Sequence, residues 1–461
     1  GSYTYSAALF GYVSKENVPF QVNGANLEIQ DTLTAADKIA VTFYVTGAAV
    51  DTAITITVWN SEKTVMTARE ANPTVYDLPA GSYTYTVEAK GYKKIKNKLL
   101  TVGAAAQTVN VALTASDAWE GDSVVPTKVG DVYQITSGAE LKGFADLVNG
   151  EEPGAKGILT KNITLNEPGD YAQKWTPMGA SSSAAFTGDF DGNGKTITGL
   201  YMDGEDAISG LFGYVGKTGS IHDLTIADAS VKSTKTSYGV YTALVAASNA
   251  GTISNVALKD SMVSSGGYAG GIAALNDGTI TGCANESAPV THNEKATSSY
   301  YALAGGIAGQ NRGTIALSYN LARVTGGNEN IGHIGGIAGK NESAGTIESC
   351  YNRGDIQTGA YLGGITGYLS GTATNCYSTG SVPTGTNAKA LFGHCTSYSA
   401  KATACFYLTG CGPEDTKGTA KTAEKFKTLA ASLGGAFADA DPYPTLKWQD
   451  PNATFTITLT V

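Results

Sequence analysis

Four histidines and a set of dispersed carboxylates are the residues of this chain with the most potential for chemistry. The histidines are His222, His292, His333 and His394, and none belongs to a His-Glu-x-x-His sequence, with which zinc proteases hold their metal. A Gly-x-Ser-x-Gly sequence, the nucleophile turn of a large hydrolase class, is also missing. The sequence therefore gives no support to either mechanism, and we expect histidines scattered over a surface.

One acidic stretch imitates a metal-binding loop. Asp189-Phe190-Asp191-Gly192-Asn193-Gly194 matches the first six positions of a calcium loop, but the twelfth position, which should be a bidentate acid, is Leu200. Asp, Asn and Gly are also the residues that tight turns require. The stretch therefore predicts a turn between two coils, and we expect neither a metal nor a cofactor.

Cleavage of acidic polysaccharides would need carboxylates that share one groove. The acids of the repeats occupy unlike positions instead: Asp223, Asp260, Asp277, Glu348 and Asp355. Because no catalytic pair can be assembled from them, we predict a protein that is not an enzyme and assign no catalytic, metal or cofactor-binding residue. A polysaccharide-cleaving enzyme is the least favoured of three functions considered.

A glycine-rich phrase, clearest at Gly305-Gly306-Ile307-Ala308-Gly309, recurs seven times and sets the architecture. Its third residues are Leu211, Leu244, Ile272, Ile307, Ile337, Ile365 and Leu391, at spacings of 33, 28, 35, 30, 28 and 26 residues. A drifting period near thirty, without heptads, predicts short strands stacked as a solenoid with loops of variable length.

Two columns can be read through the repeats. The first is small or apolar and should face the core: Leu224, Val256, Cys283, Ser318, Cys350, Cys376 and Cys405. We expect its cysteines to be free thiols, since buried Cys packs as a small hydrophobe. Two other cysteines, Cys395 and Cys411, lie off the column and could pair with each other or with Cys405.

The second column becomes aromatic in the later coils and contains Tyr319, Tyr351 and Tyr377. Two interpretations stay open for this ladder. Its rings could stiffen the sheet by stacking on one another, which is the favoured interpretation, or they could offer a glycan-binding platform.

Composition points to a secreted, β-rich repeat protein. The 461 residues carry a net charge of −9, only 15% are charged, and 58 are glycine. This balance argues against a nucleic-acid surface, which needs a dense basic face. No run of 18 apolar residues is present to span a membrane.

The N-terminal part contains a duplication. Residues 1–35 align without gaps with residues 81–115 and match at 13 positions. The second copy lies in residues 36–115, where apolar residues alternate with threonine as they do in half-buried strands. We predict a complete Ig-like β-sandwich over 36–115 and only the C-terminal half of such a module over 1–35.

The C-terminal residues 451–461 read as a lone strand that opens a further module. Its apolar residues alternate with threonine: Phe455, Ile457, Leu459 and Val461. The pattern resembles the opening strand of the complete module, around residues 41–45.

Two hypotheses account for these incomplete ends. In one, strand addition between successive molecules, with Tyr3 and Tyr5 on the receiving side, builds a head-to-tail filament. In the other, the chain is cut from a longer tandem array. The second is favoured because the tail supplies one strand whereas residues 36–80 have no counterpart before Gly1.

Between these ends we predict a linker over 116–128 and the solenoid over 129–450. Ser137 and Glu140 have the spacing of a capping box, which predicts a helix near 137–149. A second amphipathic pattern predicts a helix near 422–433, and the two helices could close opposite ends of the solenoid.

The phrase Gly210-Leu211-Phe212-Gly213-Tyr214 and the lead-in Phe186-Thr187-Gly188-Asp189-Phe190-Asp191-Gly192 resemble the GLUG motif of bacterial surface proteins. The resemblance covers about residues 129–450 and implies a right-handed parallel β-helix on exported or wall-attached proteins. The flanking modules are similar to bacterial Ig-like or carboxypeptidase-regulatory-like repeats. Some proteins with the motif are adhesins and others are zinc proteases, whose metal motif is absent here.

The fold expected is all-β: a right-handed parallel β-helix with N-terminal β-sandwich modules and short capping helices. The function expected is a non-catalytic structural or adhesive protein, extracellular or on a bacterial cell surface. Its expected partners are further copies or neighbouring modules, and not nucleic acid. The alternative is a glycan-binding adhesin module that uses the tyrosine column or a long loop between coils.

Overall fold

The computed structural model describes residues 1–24, 27–60, 65–237, 239–293, 302–330, 332–396 and 400–450. The chain divides into two compact units, Gly1–Asp117 and Ala118–Val461. Almost all of its regular structure is β-strand, as predicted. Among the described residues, no helix combines the length and the hydropathy needed to cross a bilayer.

The first unit contains three antiparallel or mixed sheets. A two-stranded sheet joins Ser2–Ala7 to Lys15–Gln21; a three-stranded sheet has the order Thr74–Pro79, Lys38–Thr46, Gln107–Ala112; and a four-stranded sheet has the order Val65–Arg69, Ile54–Asn60, Gly81–Ala89, Ile95–Val102. The last two sheets enclose one core, in which Phe43 packs edge-to-face against Tyr76 and Tyr85. Ile54, Ile56 and Val58 point into that core, as the alternation predicts.

The second unit is a parallel β-helix with four sheets, here called faces A to D, between which the chain passes in every coil. Face A comprises Thr127–Val129, Val132–Ile135, Lys156–Leu159, Ile163–Thr164, Asp189–Thr198, Ser220–Ala227, Thr252–Lys259, Thr279–Thr281, Ala284–Asn285, Thr314–Ala316, Tyr319–Asn320, Thr346–Glu348, Tyr351–Asn352, Thr372–Thr374, Tyr377–Ser378, Lys401–Thr403, Phe406–Leu408 and Thr419–Lys421. Face B comprises Tyr201–Met202, Ser230–Lys232, Met262–Ser265, Val290–His292, Val324–Thr325 and Ile356–Gln357.

Face C comprises Ile208–Ser209, Tyr241–Ala243, Tyr268–Gly270, Leu303–Gly305, His333–Gly335, Tyr361–Gly363 and Ala388–Lys389. Face D comprises Phe212–Val215, Ala246–Asn249, Ala273–Asn276, Ala308–Asn311, Ala338–Asn341, Thr366–Leu369 and Phe392–Cys395. Within the described ranges, the helical elements are two α-helices, Gly138–Asn149 and Ala423–Phe426, and three 3₁₀ turns, Ser182–Ala184, Ala430–Leu433 and Lys447–Gln449. A short hairpin pairs Phe437–Ala438 with Thr445–Leu446.

The glycine-rich phrase forms the corner between faces C and D. All seven of its anchor residues have no exposed surface, so the phrase fills the core as the repeat analysis predicts. Glycine is required beside the anchor because a Cβ at Gly306 would collide with the side-chain amide of Asn320.

The inward column is also confirmed. Its seven residues are buried, and all six cysteines of the chain are free thiols, so Cys395 and Cys411 do not pair. Burial raises the pKa of the Cys283 and Cys350 thiols to about 12, which leaves them protonated and unreactive at neutral pH.

Two ladders of buried amides run through the coils. In the first, each Nδ2 donates to the Oδ1 of the next coil: from Asn249 to Asn276 at 2.8 Å, from Asn276 to Asn311 at 2.8 Å, and from Asn311 to Asn341 at 2.7 Å. The second ladder joins Asn320 to Asn352 at 2.8 Å. These side chains have no exposed surface, and the ladders satisfy their polar atoms inside the core.

The predicted N-terminal helix is present and caps the first coil. Ser137 Oγ accepts from Glu140 N, while Glu140 Oε2 accepts from Thr136 N, one residue before the position that a capping box uses. The segment predicted as a linker packs against this helix: Val124 N donates to Ala139 O at 3.0 Å, and buried Trp119 meets Trp175 edge-to-face. From Ala118 onward, that segment therefore belongs to the second unit.

The predicted C-terminal helix is shorter and lies elsewhere than expected. It ends at Phe426 and resumes as the 3₁₀ turn Ala430–Leu433, because Ala430 N donates to the Asp439 carboxylate and so leaves the helical pattern. Phe426 and Leu433 are buried as predicted, but against the tyrosine column of face A. The segment therefore covers the side of the solenoid.

Candidate functional site

The half-module, residues 1–35, reproduces the second half of the complete module, residues 36–115, bond by bond. Equivalent hydrogen bonds recur at an offset of 80 residues: Tyr12 N to Leu9 O and Tyr92 N to Ala89 O, Val13 N to Thr34 O and Lys93 N to Thr114 O, Ala36 N to Gly11 O and Ser116 N to Gly91 O, Asn17 N to Ser6 Oγ and Asn97 N to Thr86 Oγ1. Asn17 and Asn97 even share a left-handed φ, 53° and 50°. The duplication seen in sequence is thus a structural one.

Among the described residues, fewer strands pair with the half-module than with its counterpart. In the complete module, Gly81–Ala89 pairs with Ile95–Val102 on one side and with Ile54–Asn60 on the other, whereas Ser2–Ala7 pairs with Lys15–Gln21 alone. The strand Gln107–Ala112 exists as the parallel partner of Lys38–Thr46. Its counterpart, residues 27–32, is not a strand and has no such partner in the part of the chain that the structure describes.

This difference leaves apolar surface exposed. Tyr3 is 55% exposed, whereas its counterpart Tyr83 is 1% exposed. Leu27 and Ile29, on the unpaired segment, are 52% and 41% exposed. A cluster of exposed apolar side chains beside unpaired backbone is the usual mark of an interaction surface. We call this region, residues 1–7 with 27–32, the acceptor edge.

One end of the acceptor edge is polar. Asp31 replaces the buried Val111 of the complete module, forms an ion pair with Lys15 and accepts a hydrogen bond from the Tyr5 hydroxyl. Lys15, then Tyr5, hold the pKa of the Asp31 carboxyl down at about 2. The predicted assembly residues of the N terminus therefore take different roles: Tyr3 stacks on Phe20 at 5.7 Å as part of the apolar surface, and Tyr5 orients the charge that ends it.

The assembly residues predicted at the other end, Phe455, Ile457, Leu459 and Val461, lie outside the described residues.

The tyrosine column forms the stack that the sequence predicts. The ring centroids of Tyr319 and Tyr351 are 4.9 Å apart, those of Tyr351 and Tyr377 are 5.0 Å apart, and both pairs are almost parallel. All three side chains are buried, Tyr377 completely. Stacking is therefore the role that the structure gives them.

The C-terminal segment holds this stack shut. Trp448 stacks on Tyr319 and donates to Leu317 O at 2.9 Å, while the Tyr351 hydroxyl donates to Gln449 Oε1 at 3.1 Å. Arg353 lies over the Tyr351 ring and donates to the carbonyls of Tyr443 and Pro444 at 3.0 and 2.8 Å. A glycan could reach the rings of this ladder only after the segment had moved away.

The imitation calcium loop is not the turn that we predicted. It lies within the strand Asp189–Thr198, which bulges between Asp191 and Lys195, and it pairs with the next coil so that Asp191 lies opposite His222. His222 Nδ1 is 2.8 Å from Asp223 Oδ2, and Asp191, His222 and Asp223 together form a group of the kind that binds metals.

The proton of His222 supplies positive charge to this acidic group. Burial disfavours the imidazolium, but the hydrogen bond to Asp223 and the charges of Asp189, Asp191 and Asp223 outweigh burial and raise the pKa of His222. His292 contrasts with it, because burial lowers its pKa to about 4. The expectation of histidines scattered over the surface is wrong for His292, which is 2% exposed.

A second aromatic group lies on the later coils of faces C and D and is partly open to solvent. It comprises His333, Tyr361, Tyr368 and His394, here called the histidine–tyrosine strip, with Tyr368 stacked on His394 at 5.0 Å. Lys340 lies above the Tyr368 ring and forms an ion pair with Glu342 at 2.8 Å. Tyr361 also lines an open cleft of about 810 Å³.

The sequence does not reveal this strip, because its members lie on two faces and do not share one position of the repeat. The amide ladders were missed although a signal was present, since an Asn recurs shortly before each Gly-Thr-Ile phrase. Comparison with protein-family models and with curated protein sequences found no match to this chain.

Proposed function

We propose that this protein is a non-catalytic structural or adhesive unit of an extracellular, bacterial cell-surface assembly, in which rods join end to end through the half-module. The observation that carries the proposal is the acceptor edge, where Tyr3 is 55% exposed although its counterpart Tyr83 is 1% exposed, and where Leu27 and Ile29 are exposed beside it. Burying such surface against another module supplies the free energy of joining, about 25 cal/mol for each Å² of apolar area.

The rest of the molecule is consistent with a rod. A continuous apolar core extends from Trp119 to Cys411, and buried amide and tyrosine ladders link successive coils. Since these ladders join successive central and later coils, they add stiffness along the axis there.

Sedimentation velocity and negative-stain electron microscopy of the purified chain test this proposal. We expect end-to-end strings whose length rises with protein concentration. The variant Leu27→Asp/Ile29→Asp should remain monomeric, whereas Leu99→Asp, which changes an exposed leucine away from the acceptor edge, should assemble normally. Monomers at every concentration of the unaltered chain would contradict the proposal.

A second candidate function is glycan binding, and the histidine–tyrosine strip favours it. Tyrosine faces suit sugar rings, and the nearby Lys340, Glu342 and Gln310 offer polar partners around them. Glycan-array binding that is lost in Tyr361→Ala and Tyr368→Ala but kept in Tyr319→Phe would support this function. Absence of binding to every glycan would count against it.

A further inference from the structure

We infer how successive copies are joined: residues 455–461 of one copy add as a parallel strand to residues 27–32 of the next copy. We call this contact the joint, and it rests on the proposed end-to-end assembly. The inference names the occupant of the acceptor edge as a segment of a second copy of this chain. Its geometry follows from the complete module, where both partners of the equivalent pair are present.

In the complete module the equivalent pair is Lys38–Thr46 with Gln107–Ala112. The two strands run parallel, with Val41 opposite Gln107, Phe43 opposite Val109 and Val45 opposite Val111. Alternate residues of the first strand face the core: Val41 and Phe43 are fully buried and Val45 nearly so. The pair therefore combines backbone hydrogen bonds with a row of apolar anchors, the two elements of strand addition.

In the half-module, residues 27–32 occupy the position of the second strand of this pair, and no described strand lies beside them. An offset of 80 residues places Leu27, Ile29 and Asp31 at the positions of Gln107, Val109 and Val111. Leu27 is more apolar than the Gln107 that it replaces, and it is 52% exposed. This edge is thus better suited than its counterpart to an apolar strand, and it has no described neighbour there.

The chain contains a segment that matches the missing strand. Phe455, Ile457, Leu459 and Val461 repeat the alternation of Ile39, Val41, Phe43 and Val45. Residues 452–461 contain no charged side chain, so their side chains can be desolvated without burying a charge.

The matching alternation fixes the register. Ile457 comes to lie opposite Leu27 and Leu459 opposite Ile29, while Val461 meets the position where Asp31 ends the apolar edge. A slip by one residue would turn threonines inward, and a slip by two would leave fewer apolar side chains of the added strand opposite residues 27–31 or place the larger Leu459 at Asp31.

Cysteine cross-linking between two different variants tests the register. Ile29→Cys chains are mixed with Leu459→Cys chains, both in a Cys395→Ser background, because Cys395 is the native thiol that is not buried. Opposed residues of neighbouring strands lie within the Cα separation that a disulfide spans, so we expect a dimer band that only the mixture gives on a non-reducing gel. Gln30→Cys is the matched control, since neighbouring residues of the joined strand would face opposite sides.

A binding assay separates the joint from the proposed function. A fluorescent peptide of residues 451–461 is titrated into the chain lacking residues 452–461. We expect saturable binding that weakens by about tenfold or more for the Ile457→Asp/Leu459→Asp peptide, because each substitution removes one buried apolar anchor.

The outcomes are distinct. Strings that persist after deletion of residues 452–461, with no 29–459 cross-link, would overturn the joint and leave end-to-end assembly standing, with another segment on the acceptor edge. Peptide binding without strings would support the joint and contradict the filament. If strings, cross-link and peptide binding are all absent, both the joint and the end-to-end assembly are overturned.

Discussion

Asn311 is the residue at which the energetic value of the first amide ladder can be measured. Its Nδ2 donates to Asn341 Oδ1 at 2.7 Å, and its Oδ1 accepts from Asn276 Nδ2 at 2.8 Å. All three side chains have no exposed surface. Asn311→Leu keeps the number and branching of the side-chain heavy atoms at a larger volume, and the column accepts leucine, since Leu369 follows Asn341 in it.

The expected cost comes mainly from the amide left behind. The substitution removes the hydrogen-bond donor to the buried Asn341 Oδ1 and the acceptor of Asn276, which keeps weaker contacts with Gly278 O and Thr314 O. One orphaned buried acceptor costs about 1–3 kcal/mol and a lost hydrogen bond about 1 kcal/mol, so we expect a loss of about 3 kcal/mol.

Calorimetry of the unfolding of the second unit measures this loss. At roughly 2.1 cal/mol/K per residue, the 344 residues of Ala118–Val461 unfold with an entropy of about 0.7 kcal/mol/K, so about 3 kcal/mol lowers Tm by about 4 °C. Asn341→Leu, at the end of the ladder, orphans no side-chain oxygen and should cost about half as much.

The double variant Asn311→Leu/Asn341→Leu decides between the ladder and simple packing. Removing both partners removes the orphaned oxygen, so the double variant should lose about 1–2 kcal/mol less than the sum of the single losses. Strictly additive losses, or a stabilised Asn311→Leu variant, would refute the reasoning.

Three further predictions concern the tyrosine stack and the histidines. Tyr351→Ala should lower the free energy of unfolding by about 3–5 kcal/mol, because it opens a cavity in the stack. Tyr351→Phe should lower it by about 1 kcal/mol, because it removes only the hydrogen bond to Gln449. Equal losses of the two variants in chemical denaturation would contradict the stacking role. Arg353→Met should make the segment from Thr422 to Asp450 sensitive to limited proteolysis while the coils stay resistant, and an unchanged digestion pattern would show that Arg353 does not hold that segment. The two histidines should shift the pH dependence of Tm in opposite directions. His222, with a raised pKa, stabilises below about pH 6.5 and loses this effect as pH rises through its folded pKa, so His222→Gln should lower Tm at pH 5.5 and hardly at pH 9. His292, with its pKa near 4, should lower the free energy of unfolding by about 3 kcal/mol as pH falls from 6.5 to 4, because the unfolded chain takes up the proton first. His292→Phe should reduce this loss of stability. An unchanged fall of Tm between pH 6.5 and 4 in the variant would refute the role of His292.

The core of the solenoid was predictable because a repeat reads the same environment many times. Leu211 and Ile307 occupy one column, so a single correct interpretation placed seven buried residues. Alternation did the same for the complete module at Ile54 and Ile56.

What could not be predicted depends on pairings that the repeat does not encode. Asp191 and His222 lie 31 residues apart and meet because a bulge shifts the register of one strand. The recurrence of Asn before Gly-Thr-Ile is a signal for the first ladder, but it does not by itself separate a buried Asn from a turn Asn, since both stand near glycine. The amphipathic pattern from Phe426 to Leu433 identified a buried face without showing that the tyrosine column is its partner.

The covered tyrosine stack has a mechanical consequence. Hydrogen bonds between coils lie along the solenoid axis, so tension on the rod loads the coils in series and would peel them one at a time from an end. The C-terminal segment connects coils in parallel with those bonds: Trp448 reaches Leu317, Gln449 reaches Tyr351, and Phe426 packs on Tyr377. It therefore acts as a strap that shares a pulling force among several coils, which must yield together.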